Sequence, residues 1–263
     1  MALNEAATVS VFQSRRPGGL GGFDIWISRR GGEGWSEPVN AGPHINSAQH
    51  ELDASLSADG TTLLFTRSAY GGATAVGAAG PVPDKQTDLY ISHWRNGAWG
   101  PAGKIPAPVS LAESAEFRPV LSLDGKRLFF GSNRQGGRGG YDIYATGSRN
   151  GRWETPVNLG APVNSADDEV DVAVAPHGRT LILAKRPKPS DPQRIYISNL
   201  RGGAWSEPED MGPRFNTGAG DGCPWLGYDG RTLYVNSSVE NQFPFRRLNA
   251  GFTVWVFTYP EGF

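Results

Sequence analysis

With one cysteine in 263 residues, Cys223, the chain has no internal disulfide and no cysteine-rich zinc site. It contains no run of about 18 apolar residues, so no membrane-spanning helix is expected. Neither sign of charge dominates. The 25 basic and 26 acidic residues leave a net charge of −1, which offers no footing to nucleic acid or to an anionic membrane. The four histidines, His44, His50, His93 and His177, lack zinc-ligand spacing, and there is no G-x-S-x-G elbow. The opening MALNEAATVS is not a secretory leader.

Glycine and proline, by contrast, are plentiful, at 36 and 20 residues. They sit at the turns of a repeat, which removes the reading of disorder that such a content otherwise invites. The repeat reads SLSADGTTLLF (55–65), VLSLDGKRLFF (120–130), AVAPHGRTLIL (173–183) and WLGYDGRTLYV (225–235). Each is an apolar strand, a two-residue turn ending in Gly, and a second apolar strand. A tight hairpin needs a positive φ that Gly adopts freely. The turn glycines Gly60, Gly125, Gly178 and Gly230 are 65, 53 and 52 residues apart. Hairpins recurring about every 50 residues predict a β-propeller.

Further strands fall into register: FDIWISRR (23–30), TDLYISHWR (87–95), YDIYATGSR (141–149) and RIYISNLR (194–201), each alternating apolar with polar residues. A turn and a tryptophan follow each of them: Trp35, Trp99, Trp153 and Trp205. These four are expected to anchor the outer strands. Each blade then has four strands, a to d from the axis outwards. ALNEAATVSVFQSR at the N-terminus aligns on SLSADGTTLLFTRS as a worn first blade, and GFTVWVFTYPEGF at the C-terminus supplies a strand c with no strand d. The expectation is one all-β domain over 1–263. It is a five-bladed propeller with blades at about 1–41, 50–106, 115–160, 168–212 and 220–263, the first and last incomplete.

The pattern S-x-D-G-x-x-L-x-F-x-S-N-R followed by G-G-x-G-G-x-D-I-Y resembles the TolB-type, WD-like propeller repeats of bacterial envelope and secreted proteins. LSLDGKRLFFGSNRQGGRGGYDIY (121–144) carries it nearly in full, residues 14–30 carry its second half, and blades 4 and 5 carry the hairpin alone. The resemblance implies a periplasmic or secreted protein whose leader has been removed, with a cytoplasmic address left open. It is indifferent to activity, because such repeats serve binding scaffolds, peptidase accessory domains and lyases.

Blade geometry places the b–c loops and d–a crossings on one face. That face collects RPGGLGG, RQGGRGG and the 18-residue stretch 69–86, which contains Tyr70. The glycine stretches join two strands and open no helix, so they are not phosphate loops. At the start of each strand a, HELD, AEFR, DEVD and GDGC place Glu51, Glu116, Glu169 and Asp221 around the mouth of the central channel. Asp53, Arg118, Asp171 and Cys223 lie two residues further in, on the same strand parity. Converging carboxylates require counter-charges, for which Arg118, Arg67 and Lys185 are placed.

A residue type present in every complete blade reads as architecture, a carboxylate accepting N–H bonds from its own crossing loop. Function is expected where one blade departs from the rest: at His50, Arg67, Arg118, Asp171, Lys185 and Trp225, beside Asp53, Tyr70 and Asp221. Cys223 reads as a buried small hydrophobe and His177 as a turn residue. NSADDEVD (164–171) is oxygen-dense enough for Ca²⁺ but lacks the glycine turn of an EF-hand, so no cofactor is expected.

Two functions are compatible with this pattern. The first is a monomeric binding propeller for a small polar molecule or a protein. The second is an enzyme. By architectural resemblance to five-bladed glycosidases of the arabinanase type, Glu51, Glu116 and Glu169 would be the acid–base trio and Arg118 would orient substrate. A lyase or isomerase using a carboxylate and an arginine is equally allowed.

Overall fold

A computed structural model describes residues 1–68, 87–188, 190–217, 220–237, 253–258 and 263. The chain is a five-bladed β-propeller of small antiparallel sheets, with no helix among the described residues. Tyr70 and the rest of 69–86 lie outside the described residues.

By its internal contacts the chain divides into two compact units. Met1–Gly71, Pro83–Phe130 and Thr146–Pro156 form the first; Gly72–Val82, Gly131–Ala145 and Val157–Phe263 form the second. In the first unit, blade 1 has strands a (Ala2–Leu3), b (Val9–Ser14) and c (Asp24–Gly31). Blade 2 has a (His50–Leu56), b (Thr62–Ser68) and c (Thr87–Arg95). The second unit holds blade 4, with a (Asp168–Val174), b (Thr180–Arg186) and c (Arg194–Arg201). It also holds blade 5, with a (Asp221–Leu226), b (Thr232–Ser237) and c (Thr253–Thr258) and no strand d among the described residues. Blade 3 runs from Glu116–Leu121 through Arg127–Ser132 to Asp142–Arg149.

Strand d is split in two. In blade 1, Gly34–Trp35 pairs the end of strand c and Val39–Asn40 pairs its beginning. Blade 4 repeats this with Ala204–Trp205 and Glu209–Asp210. The tryptophans share a register position, but they do not form a ring of equal anchors. Trp99 is buried, Trp153 and Trp205 are half-buried, and Trp35 is 45% exposed. Strand b is buried on both faces and so reads as an unbroken apolar run: Leu63, Leu64 and Phe65 in blade 2, and Leu181, Ile182 and Leu183 in blade 4, are fully buried.

The a–b turn has four residues, not two. Ser57 N–H bonds the Thr62 carbonyl at 2.9 Å, and Gly60 N–H bonds the Ser57 carbonyl at 2.9 Å, with φ +72° at Gly60. The Asp59 carboxylate takes the Thr61 N–H at 2.9 Å and the Ser57 hydroxyl at 2.5 Å, so side chains select a type I turn closed by a left-handed residue. Blade 1 is less worn than its sequence suggests. Asn4 accepts the N–H groups of Thr8 and Val9, both at 2.8 Å, and Ala7 takes the left-handed conformation (φ 51°) found elsewhere at Gly.

A second repeating device ties each crossing loop to strand c. Asn46 Oδ1 accepts the Ile25 N–H at 2.8 Å while its Nδ2 donates to the Ile25 carbonyl at 2.9 Å. Asn164 clamps Ile143, and Asn216 clamps Ile195, in the same two-way manner. In blade 2 the Ser110 hydroxyl accepts the Leu89 N–H at 3.2 Å. All four pairs are 21 residues apart.

Candidate functional site

The acids that open each strand a are sealed. Glu51, Glu116 and Glu169 are 0% exposed, and Asp221 is 1% exposed. Glu51 accepts the N–H of Ser47 at 3.1 Å and its hydroxyl at 2.6 Å. Glu169 takes the same two groups from Ser165 at 3.0 and 2.7 Å, and Asp221 takes them from Thr217 at 2.6 and 3.0 Å. Glu116 accepts the Leu111 N–H at 3.1 Å and the Ser114 hydroxyl. Each carboxylate therefore caps its own crossing loop.

The expected counter-charges lie beside these acids. Arg67 Nε is 2.8 Å from Glu51, its Nη2 donates to the Ile45 carbonyl at 2.7 Å, and its guanidinium covers the Tyr90 ring at 4.3 Å. Lys185 Nζ is 3.2 Å from Glu169. Burial pushes the Glu169 carboxyl up in spite of the Ser165 and Lys185 bonds, which pull it down.

Two residues further in, strand regularity ends. Asp53, Arg118 and Cys223 are left-handed, at φ 55°, 56° and 53°, and a register shift marks a bulge in strand a of blades 2, 4 and 5. Simple two-residue parity therefore does not carry from Glu51 to Asp53. Non-glycine residues in this conformation are strained, and such strain gathers at binding and catalytic positions. In the first unit the Asp53 N–H donates to Gln13 Oε1 at 2.6 Å, and the Arg118 N–H donates to the Thr66 hydroxyl at 3.3 Å. Asp53 then meets Arg118 itself at 3.0 Å.

In the second unit the Cys223 N–H donates to Asp171 Oδ2 at 2.8 Å. Ala184 occupies in blade 4 the repeat position held by Gln13 and Thr66, and it has no acceptor, so Asp171 supplies one. Cys223 is half-buried, not buried as its reading as a small hydrophobe implied. The sequence did carry a signal for these bulges that periodicity missed. Pro119 and Pro224 follow Arg118 and Cys223, and a proline inside a strand pattern marks a bulge or an edge.

His50 is buried, and its Nδ1 accepts the Phe23 N–H at 3.0 Å. Asp168 performs this task for Tyr141 at 3.2 Å, with Arg186 at 3.0 Å from its other oxygen. His50 thus departs from the repeat in residue type and keeps the repeat's bond. Trp225 is half-buried and packs against Tyr234 at 5.1 Å and Tyr228 at 6.4 Å. The glycine loops close on internal carboxylates: Asp24 accepts the N–H groups of Leu20 and Gly21, and Asp142 those of Arg138 and Gly139. Among the described residues no group of three His, Cys, Asp or Glu has metal-binding geometry. Within 164–171, Asp168 pairs with Arg186, Glu169 with Lys185 and Ser165, and Asp171 accepts from Cys223, while Asp167 is 39% exposed and 4.0 Å from Lys185.

No protein-family profile and no curated protein matches this sequence. Solved structures do. TolB from Acinetobacter baumannii superposes with a TM-score of 0.56 at 14% identity, over 99% of this chain and 54% of that one. A putative TolB from Agrobacterium tumefaciens gives 0.53 at 13%, over 98% and 73%. The α-L-arabinofuranosidase from Lactobacillus brevis gives 0.54 at 14%, over 99% and 96%. What is shared is the fold. The chain spans about half the length of the Acinetobacter TolB, and at these identities the likeness says nothing of activity.

Proposed function

We propose that this chain is a non-catalytic binding propeller that holds a polar small molecule or a protein partner at the strand-a bulges. The observation behind this reading is the contrast within strand a. The repeated acids are shut away on their own loops, whereas the next position inward is left-handed at Asp53, Arg118 and Cys223 and changes residue type between blades. Arg118, whose side chain is 13% exposed and is held by the buried Asp53, offers a ligand a positioned charged donor. A general acid or base must reach the atom it protonates. Glu51, Glu116 and Glu169 are sealed behind serine contacts, or in Glu116 behind Ser114 and the Leu111 N–H, which disfavours the glycosidase alternative even though burial raises the Glu169 carboxyl as it would in a general acid. The periplasmic or secreted address implied by the repeats belongs to the same proposal.

The test is an amide NMR titration with galacturonate, arabinose, citrate and glutamate, alongside assays on 4-nitrophenyl arabinofuranoside. The reading expects saturable shifts at Asp53 and Arg118 that vanish in Arg118→Met, with no turnover. Turnover abolished by Glu116→Gln at an unchanged melting temperature would overturn it in favour of the enzyme.

A further inference from the structure

The outer edge of the first unit carries a separate open groove of about 440 Å³, whose walls include Arg29, Val39, Pro43, His44, Trp94 and Trp99. Two of these residues break the repeat. Trp94 stands where strand c of the other blades has Arg30, Ser148 and Leu200. His44 stands where the other crossing loops have Pro108, Pro162 and Arg214. The two departures, 50 positions apart, meet through Trp99. His44 Nδ1 lies 2.9 Å from the Trp99 carbonyl, so this nitrogen carries the proton and fixes the ring at the rim. Trp99 packs edge-on to Trp94 with centroids 5.4 Å apart.

Charge in the groove has one sign. The Arg29 guanidinium lies 4.8 Å from the centre of the Trp94 ring and has no carboxylate partner among the described residues. Among the described residues no Asp or Glu lines the groove. A cation held against an indole has already given up some of its rotamer freedom, so an anion meeting it orders little more. Ile27, Val39, Ala41, Pro43 and the two indoles make most of the wall apolar, with Ser36, Asn40 and His44 as its other polar residues. A concave, mostly apolar space of this volume with a few polar groups and one cation has the character of a small-molecule site.

We propose that this groove binds a small amphiphilic carboxylate: an aromatic or branched apolar body lying against Trp94, Trp99 and Val39, with its anionic end on Arg29. The proposal is independent of the strand-a bulges, and neither depends on the other.

The probes are 3-phenylpropionate and its neutral amide, titrated by amide NMR and tryptophan fluorescence. The acid is expected to saturate, and to bind about tenfold more tightly than the amide, the scale of one charge-assisted contact. Arg29→Gln should bring the acid down to the level of the amide and leave the amide unchanged. Val39→Glu, at a position 66% exposed and therefore harmless to folding, should abolish acid binding. Trp94→Leu, the residue of blade 4, should weaken both probes. Absence of saturation in the folded parent, equal affinity for acid and amide, or an Arg29→Gln variant that binds the acid as the parent does would overturn the proposal.

Discussion

Asp53 Oδ1 lies 3.0 Å from Arg118 Nη1, and the Thr66 hydroxyl donates to Asp53 Oδ2 at 3.2 Å. The pair joins two consecutive strands a, each at its left-handed residue, and the Asp53 side chain is 1% exposed. Removing one member of a buried pair strands the other charge, which costs about 3–5 kcal/mol, whereas replacing both is far cheaper. Asp53→Ala should therefore lower stability in urea more than the double variant Asp53→Ala/Arg118→Met. If the single effects simply add in the double variant, the two charges are not coupled.

Gly139, in a glycine-rich loop, and Gly103, in the short strand Gly103–Lys104, yield a contrast within one residue type. A Cβ on Gly139 would overlap the Asp167 carbonyl, which is backbone and cannot swing aside. Gly103 has nothing within 4 Å of the same position and an ordinary φ. Gly139→Ala should cost about 1–3 kcal/mol through overpacking. Gly103→Ala should be neutral or add up to about 1 kcal/mol by restricting the unfolded chain. Urea midpoints of the two variants give the comparison, and equal losses would contradict the packing described.

The fold was legible because the signals that specify it are local and repeated. The Ser57–Asp59–Gly60 turn, the apolar run through Phe65 and the alternation in strand c each need only neighbours in sequence. The Asn46, Asn164 and Asn216 clamps were equally available, since Asn recurs 21 residues after a strand-c Ile, yet hydrophobic periodicity does not register a polar residue turned inward. The candidate site was harder to read. A repeated Glu tells of a shared bond without saying whether water reaches it, and only the Ser47 and Ser165 contacts answer that. The left-handed Asp53 goes with a tertiary contact to Gln13 that no local propensity encodes, whereas Pro119 after Arg118 was a local mark of the same irregularity. Departure from the repeat also proved an uneven guide: His50 kept its bond through a different atom, whereas Trp94 and His44 built something new.

The sealed glutamates make a prediction about stability. Glu116→Gln replaces a carboxylate that accepts from Leu111 N–H and the Ser114 hydroxyl with an amide whose NH₂ cannot accept. One buried donor then loses its partner, at about 1–3 kcal/mol. Glu116→Gln should lower the melting temperature and unsettle the 110–116 loop, read as faster amide exchange at Leu111. An unchanged melting temperature would mean that this carboxylate does not hold the crossing.

His50 should give the protein a pH dependence of definite sign. Burial lowers its pKa from 6.5, helped by Arg15 and opposed by Glu51 and Asp24. The neutral ring is also the form that accepts the Phe23 N–H at Nδ1. In the unfolded chain the histidine protonates near 6.5, while in the folded chain it resists. Its contribution is therefore fully present above pH 6.5 and is lost as pH falls from there through the lower folded value, with a slope of at most about 1.4 kcal/mol per pH unit for one proton. Glu169 acts in the opposite sense, because a carboxyl raised above 4.5 by burial costs stability as pH rises. The two are separated by His50→Asn, which keeps an acceptor for Phe23 and removes the titration. Urea unfolding between pH 7.5 and 5.0 should show the parent weakening relative to the variant as acid is added. Parallel curves would assign the acid sensitivity to another group.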